Sequence, residues 1–259
     1  STPSPTTDEL LIDRQDGILV LTFNRPEAKN AMTLALSKAM ADALDLLDSD
    51  PTLSVAVVTG AGGTFCSGMD LKGFLRGERP SVPGRGFGGL TQKSPRKPLI
   101  AAVEGYALAG GFEAMLACDL IVASKAAKFG VPEVKRGLVA SAGGLMRLPG
   151  RIPYHVAMQY ALTGEFMGSE RAYALGLVNE LVEPGQALDG ALKLAKVVTA
   201  NGPLAVQVSK QIVQQSRDWT EAEMWDKQNP IAAPVFASED AKEGSRAFAE
   251  KRAPVWTGK

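Results

Sequence analysis

The stretch from Leu99 to Ala123 constrains this chain most. It runs Leu-Ile-Ala-Ala-Val103, then Glu-Gly-Tyr-Ala-Leu-Ala-Gly-Gly-Phe-Glu113, then Ala-Met-Leu-Ala-Cys-Asp119 and a second apolar run, Leu120 to Ala123. Five apolar residues without polar alternation predict a strand buried on both faces. The small residues Ala109-Gly110-Gly111 let another molecule approach the backbone closely. The helix that starts there presents N–H donors lacking partners in its first turn. Glu113 is an acid in otherwise apolar surroundings. A buried carboxylate is costly without a purpose or a partner, so the stretch predicts a reaction centre on a strand–turn–helix unit.

The residues before it predict the same kind of unit. Ile18–Asn24 reads as a strand between Asp16-Gly17 and Arg25-Pro26. Thr33 is a fitting N-cap for a helix in which Leu34, Ala35, Met40, Ala43, Leu44 and Leu47 recur at helical spacing. Val55–Thr59 is a buried strand, and strand–helix–strand in this order implies a right-handed crossover. The Gly-rich segment Gly60–Lys72 has neither Gly-Lys-Ser/Thr nor G-x-G-x-x-G spacing. It is either a plain tight turn or a close backbone approach to a ligand oxygen. Residues 76–98 are rich in Gly, Pro and Arg without periodicity, which predicts a disordered segment or a flap whose Val82, Phe87 and Leu90 help cover a pocket. Lys128–Val134 predicts a short strand ending in a turn that carries Glu133. Helical patterns then dominate: 153–162, 169–175, 188–200, 203–216, 220–236 and 239–250. The expected architecture is an α/β core over residues 1–200 and a helical C-terminal region over 201–259, with Ser1–Thr7 as a disordered lead.

Composition narrows the chemistry. Lys plus Arg equals Asp plus Glu, 28 against 28, which gives no electrostatic argument for a nucleic acid or a membrane surface. No apolar run approaches the length of a membrane span. Cys66 and Cys118 fall in different elements and read as unpaired buried thiols of a reducing, cytoplasmic setting. His155 is the only histidine. That removes a multi-histidine metal site, and its place at the start of an amphipathic helix favours a structural role. Acid–base chemistry falls to carboxylates.

A set of segments, in order and at matching separations, resembles the enoyl-CoA hydratase/isomerase (crotonase) superfamily along nearly the whole chain. They are Asn24-Arg-Pro-Glu-Ala-Lys-Asn-Ala31, Val57-Val-Thr-Gly60, Thr64-Phe-Cys-Ser-Gly-Met-Asp-Leu71, Ala101–Glu113, Cys118-Asp-Leu120, Phe129-Gly-Val-Pro-Glu133 and Gly143-Gly-Leu-Met-Arg-Leu148. Gly-Phe-Glu113, Arg147-Leu-Pro149 and the tail from Ser238 to Trp256 look most like the carnitinyl-CoA dehydratase branch. The resemblance implies a spiral of ββα units, a C-terminal helical region that forms a homotrimer or a dimer of trimers, and an acyl-CoA thioester substrate, so that coenzyme A enters as part of the substrate and no separate cofactor is needed. It implies an oxyanion hole from the backbone N–H groups of Met69 and Gly110. It gives Glu113 the water and Glu133 proton delivery at Cα; salt bridges to Lys128, Lys135 or Arg136 are the structural alternative. It places CoA contacts at Ala28, Lys29, Met69, Asp70, Leu71 and Lys72, with Phe248 and Lys251 reaching a neighbouring subunit's CoA. Two departures stand out: Ala109 where the family commonly has glycine, and Ala140 where many members have proline.

Overall fold

The structure, a computed structural model, describes residues 8–259; the N-terminal lead lies outside the described residues. The strands are β1 (Leu10–Gln15), β2 (Ile18–Phe23), β3 (Val55–Gly60), β4 (Ser81–Val82), β5 (Gly86–Phe87), β6 (Leu99–Val103), β7 (Tyr106–Leu108), β8 (Leu120–Ser124), β9 (Lys128–Gly130), β10 (Met167–Gly168) and β11 (Glu180–Val182). The helices are α1 (Leu34–Ser49), α2 (Leu71–Leu75), α3 (Gly110–Leu116), α4 (Gly144–Arg147), α5 (Tyr154–Thr163), α6 (Ser169–Ala174), α7 (Ala187–Thr199), α8 (Pro203–Gln215), α9 (Met224–Phe236) and α10 (Glu239–Glu250).

The main sheet has the order β1-β2-β3-β6-β8-β11 and is parallel except for the β1–β2 pair. Its central strands are buried on both faces because helices cover both. Ala56, Val58, Leu99, Ala101 and Val103 point into one core shared with α1 and α3. The alternate residues Val55, Val57, Ile100 and Ala102 face α7, whose Ala187, Ala191 and Ala195 allow a close approach. A second, small sheet has the order β10-β9-β7. It continues across two isolated parallel bridges, Cys66 with Ala107 and Met32 with Met69. Each turn of the spiral thus gives one strand to the main sheet, one extended segment to the small one, and then a helix: β3, Cys66–Met69, α2; β6, β7, α3; β8, β9 and the turn that leads to α4. Stacking these turns lines up the C-terminal ends of the small-sheet segments.

Thr33 caps α1 as its sequence predicts, accepting from the Leu36 N–H at 3.0 Å. The chain after residue 200 is helical through α8, α9 and α10. Residues 76–98 are ordered: β4 and β5 form an antiparallel hairpin that lies against α1. No helix among the described residues is long and apolar enough to cross a membrane. Cys66 and Cys118 are buried free thiols, and burial pushes both up to about 12.

Candidate active site

The Cys66–Ala107 bridge sets the register of the two segments that lead to the predicted oxyanion donors. Leu108 donates its N–H to the Cys66 carbonyl at 3.0 Å. Three residues further along each segment lie Met69 and Gly110. Gly68, at φ +119°, permits the approach: a Cβ there would lie 3.0 Å from the Ala109 Cβ and 3.7 Å from the Gly110 nitrogen. Among the described residues, neither the Met69 N–H nor the Gly110 N–H bonds another backbone group. Gly110 opens α3, where first-turn donors have no helical acceptor. Ala109 holds φ +53° and ψ −127°, backbone suited to glycine. Strain of this kind costs roughly 1–3 kcal/mol, and it is stored at the turn that aims the Gly110 N–H.

One turn into α3, Glu113 is 2% exposed, and its Oε2 accepts from the Gly144 N–H at 2.9 Å. Burial pushes the Glu113 carboxyl up to about 7. The Gly144 N–H opposes that rise, the Glu133 charge adds to it, and the Ala142 N–H and Arg147 oppose it. Glu133 lies in the short turn Pro132–Arg136 that follows β9, and burial raises its carboxyl as well. Its Oε1 is buried without a hydrogen-bond partner. Neither carboxylate forms an ion pair with Lys128, Lys135 or Arg136 among the described residues. The salt-bridge alternative therefore has no ion pair behind it, although the Arg136 charge opposes the rise of the Glu133 carboxyl.

Two further side chains stand beside the site: Phe87, which the sequence offers as part of a pocket-covering flap, and Arg147, which sequence reasoning did not place there. Phe87, from the hairpin, covers Gly110 so closely that a Cβ on Gly110 would come within 2.3 Å of the ring. Arg147, in α4, donates through Nη2 to the Thr91 carbonyl at 2.5 Å and so ties the segment after the hairpin to the turn beside Glu113. Burial lowers the Arg147 guanidinium and the Glu113 charge opposes that. A hydrogen bond from a charged donor contributes about 1.5–3 kcal/mol. Arg147→Met should therefore loosen the hairpin, with tryptic cleavage within residues 76–98 at least tenfold faster than in the parent; equal rates would sink the tether.

The CoA-contact candidates divide into two groups. Ala28 and Lys29 end the turn before Asn30, Lys29 is exposed, and its carbonyl accepts from the Ser67 N–H. Asp70 accepts from the Gly73 N–H at 2.9 Å as the N-cap of α2, with Leu71 and Lys72 exposed beyond it. The Met32–Met69 bridge brings these residues together beside Met69. Phe248 and Lys251 sit instead at the end of α10, which packs on α9. His155 is exposed and stacks edge-on to Tyr154, outside the acid pair.

Fold and site together define a spiral α/β protein whose successive turns supply two backbone N–H groups without backbone partners, a buried Glu113 and a half-buried Glu133. The model of the family described as "Enoyl-CoA hydratase/isomerase" matches residues 13–259, and the chain belongs to that family. It is 42% identical to "Enoyl-CoA hydratase EchA19" of Mycobacterium tuberculosis over 95% of each chain. It is also 42% identical to the "Carnitinyl-CoA dehydratase" of Salmonella arizonae, over 97% of this chain and 99% of that one. Among solved structures it resembles an enoyl-CoA hydratase from M. tuberculosis H37Rv, 59% identical, with 98% of this chain and 100% of that chain covered and a TM-score of 0.96. A carnitinyl-CoA hydratase from Mycobacterium avium, 42% identical with 98% and 100% covered, gives a TM-score of 0.79.

Proposed function

We propose that the protein reversibly adds water to a 2-enoyl-CoA thioester. The observation that carries this reading is a pair of glutamates whose carboxyl groups burial raises, with the Glu133 charge adding to the rise at Glu113, together with two backbone N–H groups without backbone partners. The Met69 and Gly110 N–H groups receive the thioester oxygen. As water adds at Cβ, charge moves onto that oxygen to form an enolate, and each fixed donor contributes about 3–4 kcal/mol at that stage. Glu113, as the carboxylate, takes a proton from the water. Glu133, as the acid, delivers one to Cα. The pair begins and ends with a single proton, because like charges this close raise one of the two carboxyls. Dehydration runs the same steps backwards. Double-bond isomerisation needs only one carboxylate to move a proton, so the second acid favours hydration; dehydration of a carnitinyl-CoA is the alternative that keeps both.

Under this reading Ala28, Lys29 and Met69–Lys72 hold the CoA portion. Phe248 and Lys251 complete it from a neighbouring subunit of a homotrimer or dimer of trimers. Phe236 and Phe248 are 82% and 88% exposed on α9 and α10, surface that such an assembly would cover. Light scattering should then give three or six times the 27.3 kDa chain mass; a monomer would remove Phe248 and Lys251 from the site. The activity itself is tested by loss of the enoyl-thioester absorbance when the protein is added to 2-enoyl-CoA esters. If crotonyl-CoA, longer enoyl-CoAs and crotonobetainyl-CoA are all inert while CoA esters still bind, the protein is a binding module and the hydratase reading falls.

A further inference from the structure

Glu133 forms part of the wall of a cavity of about 310 Å³ between the 131–140 segment and α5. Val131, Ala140, Leu148 and Ala157 make its buried floor, while Leu145 and Leu162 flank the mouth. Of the side chains lining it, only Glu133 and Tyr154 carry an oxygen. Glu133, whose Oε1 is buried without a hydrogen-bond partner, is the member of the acid pair that lines this space. A substrate whose Cα lies at Glu133 therefore has its far end directed to hydrocarbon. The methyl end of a crotonyl chain, a single carbon beyond Cβ, would leave most of this cavity unfilled.

We propose that this cavity takes the substrate's acyl tail beyond Cβ, and that the tail is an uncharged hydrocarbon longer than that of crotonyl. The proposal rests on the hydratase reading and names its substrate class. A trimethylammonium tail would surrender its hydration to a leucine- and valine-lined space. Quaternary ammonium groups are recognised by cages of aromatic rings, and the lining here supplies one ring, Tyr154, itself 60% exposed. Glu133 is the only carboxylate in the lining, and the reaction engages it at Cα.

The test is kcat/KM for a series of 2-enoyl-CoA esters, with crotonobetainyl-CoA alongside. Burial of about 0.8 kcal/mol per methylene converts to about fourfold per added carbon. Hexenoyl-CoA should exceed crotonyl-CoA by at least tenfold, and crotonobetainyl-CoA should fall at least a hundredfold below hexenoyl-CoA. Ala161→Phe, which fills the cavity from α5, should cut the octenoyl-to-crotonyl ratio at least tenfold. Turnover of crotonyl-CoA without a rise along the series, or a preference for crotonobetainyl-CoA, overturns the tail assignment and leaves the hydratase standing. If no ester is turned over, calorimetry with acetyl-CoA and hexanoyl-CoA decides separately. At least tenfold tighter binding of hexanoyl-CoA supports the cavity as a tail site, and equal binding overturns it.

Discussion

A Glu113→Gln enzyme should bind acyl-CoA esters normally, hydrate enoyl-CoA about 10²- to 10⁴-fold more slowly, and be more stable than its parent at pH 8. The first effect follows from losing the base that takes the water's proton. Gln keeps an oxygen for the Gly144 N–H that Glu113 now accepts at 2.9 Å. The stability gain follows from burial, which raises the carboxyl from 4.5 to about 7 in the folded protein. Between those values the folded chain binds more protons than the unfolded one, so stability is full below pH 4.5 and declines as pH rises to 7. At about 1.4 kcal/mol per tenfold in proton affinity, the decline totals about 3 kcal/mol. Gln has no proton to lose and escapes it. Thermal unfolding at pH 5 and pH 8 reads the difference as a smaller fall in Tm for the variant. A variant that loses both turnover and Tm at pH 8 would be misfolded, and the base assignment would have no support from it.

What could be read from the amino acids divides along a physical line. α1 and α5–α10 follow apolar periodicity, and β2, β3, β6 and β8 are apolar runs between turn residues, so local pattern suffices for them. β1 escapes that reading because it is an edge strand, with Leu11 47% exposed and Asp13 and Arg14 within its span. α2 contains Gly73 and is five residues long, and the strands of the 81–87 hairpin have two residues each. Elements that short are held by tertiary contacts, which leave no period in the sequence. The site divides in the same way. Glu113 stands out as one acid in an apolar helix. Arg147 is the same kind of signal, a lone charge in Leu145-Met-Arg-Leu148, but its tie to the Thr91 carbonyl spans 56 positions. Phe87 is legible as a pocket-covering residue of the 76–98 segment, but that it lies over Gly110 follows only from where the spiral carries the hairpin.

Glu133→Gln should be as inactive in hydration as the Glu113 variant, yet differ from it in two measurable ways. If Glu133 delivers the Cα proton, its loss abolishes exchange of the Cα hydrogens of a saturated acyl-CoA with deuterated water. Glu113→Gln, with Glu133 and the oxyanion donors in place, should retain that exchange. The second difference is electrostatic. The Glu133 charge is one of the causes that hold Glu113 up at about 7, after burial itself. Removing it lets Glu113 ionise at lower pH, so the pH-dependent loss of stability should end below pH 7 in Glu133→Gln. In the parent, hydration kcat/KM should fall above about pH 7, as the pair gives up the single proton that catalysis needs. Exchange kept in Glu133→Gln and lost in Glu113→Gln would reverse the two roles. Full turnover in both would move the chemistry away from this pair, and the two N–H groups at Met69 and Gly110 would have to serve a carbonyl that is bound rather than transformed.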